Sequence, residues 1–178
     1  MSSSNRIIPF SNVLYWASSI LAFAIPAFIF AIILRGWFDP AALVAQLTEL
    51  PATTRISALQ AALVAAVGII ATYPLVATFL GMRRLFGRYR RGEILTDACA
   101  RDILRIGQAL FAVAAMTVLV PTLQILICSW NNGPGNRLLY LGVEGSTLGF
   151  LLSGGLLIVI GWVMREAALV AEDAKGFV

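Results

Sequence analysis

The chain has no histidine. That removes the commonest metal ligand and the commonest general base near neutral pH, and excludes histidine-ligated haem. There are two cysteines, Cys99 and Cys128. One lies in a charged stretch and the other at the far end of the next apolar run. If that run spans a membrane, the two thiols face opposite compartments and cannot pair within the chain. Neither a disulfide framework nor a zinc-ligand spacing is present. Charge is scarce too: 12% of the 178 residues are charged and 60% are hydrophobic. A soluble domain carries about 25% charge, so this chain has too few charges to coat a soluble core. The deficit marks an integral membrane protein. The length allows a single domain, residues 1–178, with no separate soluble module.

What is present is four apolar runs, each able to cross about 30 Å of hydrocarbon as roughly 20 helical residues. They cover residues 14–34, 56–82, 106–128 and 147–164, and none contains Asp, Glu, Lys or Arg. The last is the shortest and extends naturally back to Gly142 or Gly145. Backbone polar groups in lipid must be satisfied within the segment, which selects helices. Barrel strands would alternate with period two, and these runs do not. The first run follows a short leader with Arg6, but it stays apolar too long for a signal-peptide core. The expected fold is therefore all-α, an integral membrane four-helix bundle.

The basic residues are distributed unevenly. Arg83, Arg84, Arg88, Arg90, Arg91, Arg101 and Arg105 fall between the second and third runs, seven of the thirteen basic residues. With four spans, Arg6, Arg165 and Lys175 share their side, giving ten basic residues there. The opposite side has three, Arg35, Arg55 and Arg137. By the positive-inside rule both termini are cytoplasmic.

The connections carry local signals. Asp39-Pro40 reads as a helix start, and Leu43, Val44, Leu47 and Leu50 share one face before Pro51. This predicts a short amphipathic helix, lying on the outer membrane surface or capping the bundle. In the basic connection, Gly92 suits a left-handed helix end after Arg91. Thr96 suits an N-cap, with Asp97 in the first turn of the next helix. The unit is a basic cytoplasmic helical hairpin. Arg84, Arg88 and Arg91 form one stripe, beside an apolar strip of Leu85, Phe86 and Tyr89. Two uses fit: contact with anionic lipid on the cytoplasmic face, or docking of an acidic cytosolic partner. Direct nucleic acid binding is not expected, because Glu93, Asp97 and Asp102 dilute a small patch.

Leu85-Phe86, the basic stretch, Gly92-Glu93-Ile94-Leu95-Thr96 and then Leu104-Arg105-Ile106-Gly107 resemble the hallmark of the domain-of-unknown-function 2975 family. Phe usually stands where this chain has Leu95. The C-terminus, "REAALVAEDAKGFV", is similar to that of many members. The resemblance implies a small bacterial four-helix membrane protein with no known catalytic activity. It also implies a partner, because members are often encoded beside a small helix-turn-helix transcription regulator.

Within the spans, Gly145, Gly149 and Ser153 are spaced by four, the small-xxx-small pattern of close helix packing against a neighbouring span or a second copy in a homo-oligomer. Gln60, Gln108 and Gln124 are the interhelical hydrogen-bond candidates, and Thr117 is placed to ease the gap left by Pro121. Pro26, Pro74 and Pro121 are ordinary packing features or marks of a pliable bundle. No intramembrane ionisable group suggests an ion-coupled pump. No nucleophile-base pair or metal cluster suggests an enzyme, and no cofactor is implied. The sequence thus points to a non-enzymatic membrane regulator or sensor. The alternative is a small transporter or accessory subunit of a membrane complex.

Overall fold

The computed structural model describes residues 4–38, 57–94, 96–130 and 141–175. They form four α-helices: α1 (Ser4–Phe38), α2 (Ala58–Tyr89), α3 (Asp97–Ser129) and α4 (Gly145–Lys175). The expected amphipathic helix after Asp39 lies outside the described residues, as does the turn around Gly133. The helices run 31 to 35 residues, or about 47 to 52 Å at 1.5 Å per residue. Each is therefore longer than a hydrocarbon core and projects beyond it. All four are long and apolar enough to cross a membrane. Most of their apolar surface is not covered by protein: Phe23, Ile70, Leu152 and Trp162 are among many large exposed side chains. A water-soluble protein does not present apolar area on this scale. The chain is a multi-pass membrane protein.

Extensive packing joins sequence neighbours: α1 on α2, α2 on α3, and α3 on α4. The buried cluster of Leu85, Cys99, Ile103, Ile106 and Leu110 lies where α2, α3 and α4 meet, flanked by Met82, Phe150 and Leu157. Tyr15 of α1 and Arg165 of α4 both reach the α2–α3 hairpin. The N-terminal part of α1 and the C-terminal part of α4 thus sit at the hairpin end.

Glycine sets the closest helix approach, though not at the expected positions. Gly145, Gly149 and Ser153 are exposed, and a Cβ on Gly145 or Gly149 would meet nothing within 4 Å. That stripe does not pack against the described residues. α4 turns its neighbouring face to α3, where Gly154 lies on Gly107. A Cβ on Gly107 would stand 2.8 Å from the Gly154 carbonyl oxygen, and one on Gly154 would stand 2.9 Å from that of Gly107. Gly161 accommodates Leu104 in the same seam. Gly154 and Gly161 are seven residues apart, two turns on one face, whereas the exposed stripe repeats every four; both are helical-face spacings, and α3 chooses between them.

Two of the three glutamines bind across helices. Gln60 Nε2 donates to the Ile127 carbonyl at 2.8 Å, and Gln124 Nε2 donates to that of Val64 at 3.4 Å. Gln108 is exposed instead. Gln60 also completes a capping box: its side chain accepts from Ser57 N–H, and Ser57 Oγ accepts from Gln60 N–H. Thr117 Oγ1 donates to the Ala114 carbonyl and lies 2.8 Å from Thr147 Oγ1 on α4. It links two helices rather than easing the proline gap. Pro26, Pro74 and Pro121 sit inside unbroken helices.

Candidate functional site

The hairpin between α2 and α3 is built from its turn outward. After Tyr89 the chain turns through Arg90 to Gly92, whose φ of +79° is the left-handed conformation that glycine adopts without a Cβ clash. Gly92 N–H donates to the Tyr89 carbonyl and Glu93 N–H to that of Arg88. These two bonds are the 5→2 and 6→1 pair of a Schellman motif. Thr96 Oγ1 then caps α3 by accepting from Cys99 N–H at 3.3 Å. Cys99 is fully buried, and its thiol donates to the Glu93 carbonyl at 3.0 Å. The thiol stitches the turn to the first turn of α3.

Ion pairs clamp the arms. Arg88 Nε of α2 donates to Asp102 Oδ2 of α3 at 2.9 Å, with the Asp102 side chain 4% exposed. Arg88 also lies 3.5 Å from Glu93, which pairs with Arg91 at 3.3 Å. The hydrogen bond from Arg88 to Asp102 raises the guanidinium above its already high pKa, so this cation persists at any physiological pH. Asp97 pairs with Arg101 one turn on and with Arg165 of α4 at 3.5 Å.

The predicted contact residues separate into two groups. Leu85 belongs to the buried core and Tyr89 packs against it. Phe86 is half-buried and meets the Tyr89 ring edge-on at a centroid distance of 6.3 Å. Leu85 and Tyr89 therefore serve the fold rather than a docking strip: both pack into the core that Cys99, Ile103 and Ile106 of α3 build. The arginines behave differently. Arg83, Arg84, Arg88 and Arg91 surround a groove of about 480 Å³, with Tyr15 of α1 as the opposite wall. Arg83 donates to Tyr15 Oη through Nε and Nη2, both at 3.3 Å. Arg90 lies over the Tyr15 ring, 4.9 Å from its centroid. Among the described residues Arg83, Arg84, Arg90 and Arg105 have no carboxylate within 4 Å. No cluster of three metal-ligating side chains occurs among them either.

The hallmark residues coincide with this construction. Leu85 fills the core, Gly92 and Glu93 make the turn, and Thr96 caps. Leu104 and Gly107 carry the seam to α4, and Arg105 remains exposed. Sequence reading missed Tyr15, Asp102 and Cys99 as parts of the site. Nothing local marks Tyr15, which is 68 residues from Arg83. Asp102 carried a signal, being a carboxylate on the face of α3 that also presents the core residue Ile106 four residues on.

These features define a class: a helical multi-pass membrane protein whose second and third helices are joined by a clamped, arginine-rich hairpin outside the apolar segments. The chain belongs to the family described as protein of unknown function (DUF2975), whose model matches residues 10–175. No curated protein and no solved structure shows a significant match.

Proposed function

We propose that this is a non-enzymatic regulator or sensor of the bacterial cytoplasmic membrane, with the hairpin and both termini in the cytoplasm. Its hairpin tip recruits a cytosolic partner, such as a helix-turn-helix transcription regulator. The observation that carries the reading is the pairing of rigidity with exposed positive charge. The Arg88–Asp102 bond fixes the arms, while Arg84, Arg90, Arg91, Arg101 and Arg105 stay exposed around them. A fixed basic surface steers an acidic partner and sets its orientation without a loss of loop entropy on binding. The ten-to-three bias of basic residues supports the orientation.

The alternative, a small transporter or accessory subunit, draws on a cavity of about 280 Å³ between α1, α2 and α3 that Thr72 and Gln124 border. Co-purification separates the two readings. The full chain, extracted in mild detergent, should retain a helix-turn-helix regulator encoded beside its gene. Arg90→Gln with Arg101→Gln leaves five arginines in the hairpin and should weaken retention about tenfold, with a shallower salt dependence. Retention of integral membrane proteins alone, or an unchanged interaction in the double variant, would defeat the regulator reading.

A further inference from the structure

The arginine groove has a second feature beneath it. Between α1 and α2, and reaching Met116 of α3, lies a cavity of about 750 Å³ with an almost wholly apolar lining. Pro26 and Phe30 of α1 face Ile70, Tyr73 and Pro74 of α2 across it. Cavity and groove share one seam and one face of each helix. On α1, Tyr15 lines the groove and Pro26 the cavity; on α2, Arg84 lines the groove and Tyr73 the cavity. Both pairs are eleven residues apart, three full turns, which returns to the same face after about 16 Å. Val76 borders the cavity and Leu80 the groove, one turn apart, so the apolar surface runs from one to the other. Half of a 30 Å hydrocarbon layer is about 15 Å. When the groove stands at the headgroup level, the cavity stands near the bilayer centre.

The two ends differ in chemistry. Four guanidinium groups border the groove, and the carboxylates that touch them, Glu93 and Asp102, bind only Arg88 and Arg91. Arg83 is held by the Tyr15 hydroxyl, a neutral acceptor, and Arg84 Nε by the Leu80 carbonyl at 3.3 Å. Two oriented cations are left uncompensated where a phosphate would sit. The other end offers hydrocarbon.

We infer that the seam between α1 and α2 is a binding site for one anionic phospholipid of the hairpin-side leaflet. Its phosphate lies against Arg83 and Arg84, and one acyl chain follows Leu80 and Val76 down to the cavity at Pro26 and Pro74. Such a lipid neutralises the groove and fills space that α1 and α2 leave between them. It also makes the α1–α2 contact depend on the lipid composition of the membrane. The site stands independently of any protein partner at the hairpin tip.

The test uses the full chain in a neutral detergent, with bound lipid counted by native mass spectrometry and thermal unfolding followed in parallel. Four additives are compared: dioleoyl phosphatidylglycerol, dioleoyl phosphatidylcholine, dihexanoyl phosphatidylglycerol and inorganic phosphate. The expected result is one dioleoyl phosphatidylglycerol per chain with a raised unfolding temperature. Phosphatidylcholine and the short-chain lipid should be retained at least tenfold more weakly. Arg83→Gln with Arg84→Gln should weaken phosphatidylglycerol binding about thirtyfold. Equal retention of phosphatidylcholine would overturn the headgroup assignment. Equal stabilisation by dihexanoyl lipid or by inorganic phosphate would reduce the seam to an anion site and overturn the acyl-chain assignment. These comparisons on the unmodified chain decide the matter even if the double variant folds poorly.

Discussion

Arg88 and Asp102, fourteen residues apart, meet across the hairpin with Nε and Oδ2 2.9 Å apart, and this bond joins α2 to α3 outside the apolar segments. Asp102 is buried, whereas the Arg88 side chain remains 31% exposed. The pair thus lies between a surface ion pair and a fully buried one.

Removing one partner should cost more than removing both. Breaking a fully buried pair costs 3–5 kcal/mol, mostly from the charge left behind. Exposure of Arg88 lowers this, so Asp102→Ala should destabilise by about 2 kcal/mol. Arg88→Leu with Asp102→Leu should recover part of that loss. Thermal unfolding in detergent checks both, and equal stability of Asp102→Ala and the unmodified chain would show that the clamp contributes nothing.

Gly154→Leu should destabilise the α3–α4 seam by about 1–3 kcal/mol, because its side chain meets the Gly107 carbonyl and the Phe111 ring. Gly149→Leu should be tolerated, since its Cβ enters open space. Monomer yield and unfolding temperature in detergent measure the contrast. Reversed sensitivity would place Gly149 at an interface with a second copy.

Gln60 serves two helices at once, so its substitutions can separate the roles. Gln60→Glu keeps an acceptor for Ser57 N–H but loses the donor to Ile127, whereas Gln60→Leu loses both. The expected costs are about 1 kcal/mol for the first and about 2 kcal/mol for the second. Identical losses would mean that the bond from Ser57 N–H to the Gln60 side chain contributes nothing.

Orientation is tested by Ser3→Cys in intact cells. Cys99 and Cys128 are buried, and replacing both removes any residual background. An impermeant maleimide should label Ser3→Cys only after the membrane is opened. Labelling of intact cells would invert the proposed topology.

Sequence legibility followed the reach of each interaction. The four spans, the Gly92 turn and the Thr96 cap depend on residues at most a few positions apart, and each was readable. Ser57 and Gln60 carry the S-x-x-Q signature of a capping box, a signal of the same short reach. The sequence pattern places Leu85, Phe86 and Tyr89 side by side, but not the α3 residues that Leu85 and Tyr89 pack against. Periodicity gives a face and is silent on what covers it, and here α3 covers much of it. The glycine stripes of α4 posed the same problem, since Gly149 and Gly154 both offered close approach and only α3 decided between them. Tyr15 was illegible because its role depends on the docking of α1 against a helix far along the chain.

The serial packing of the helices also bears on how the protein is made. α2 docks on α1, α3 on α2 and α4 on α3, so each helix after the first meets a packing partner as soon as it emerges. Among the described residues no span waits for more than the next one to complete its interhelical side-chain bonds: those of Gln60 and Gln124 close once α3 is in place, and that of Thr117 once α4 arrives. Interactions between near neighbours in sequence close quickly. The order of synthesis is therefore a sufficient order of assembly, and α4, the last to arrive, closes over a core whose other walls already stand.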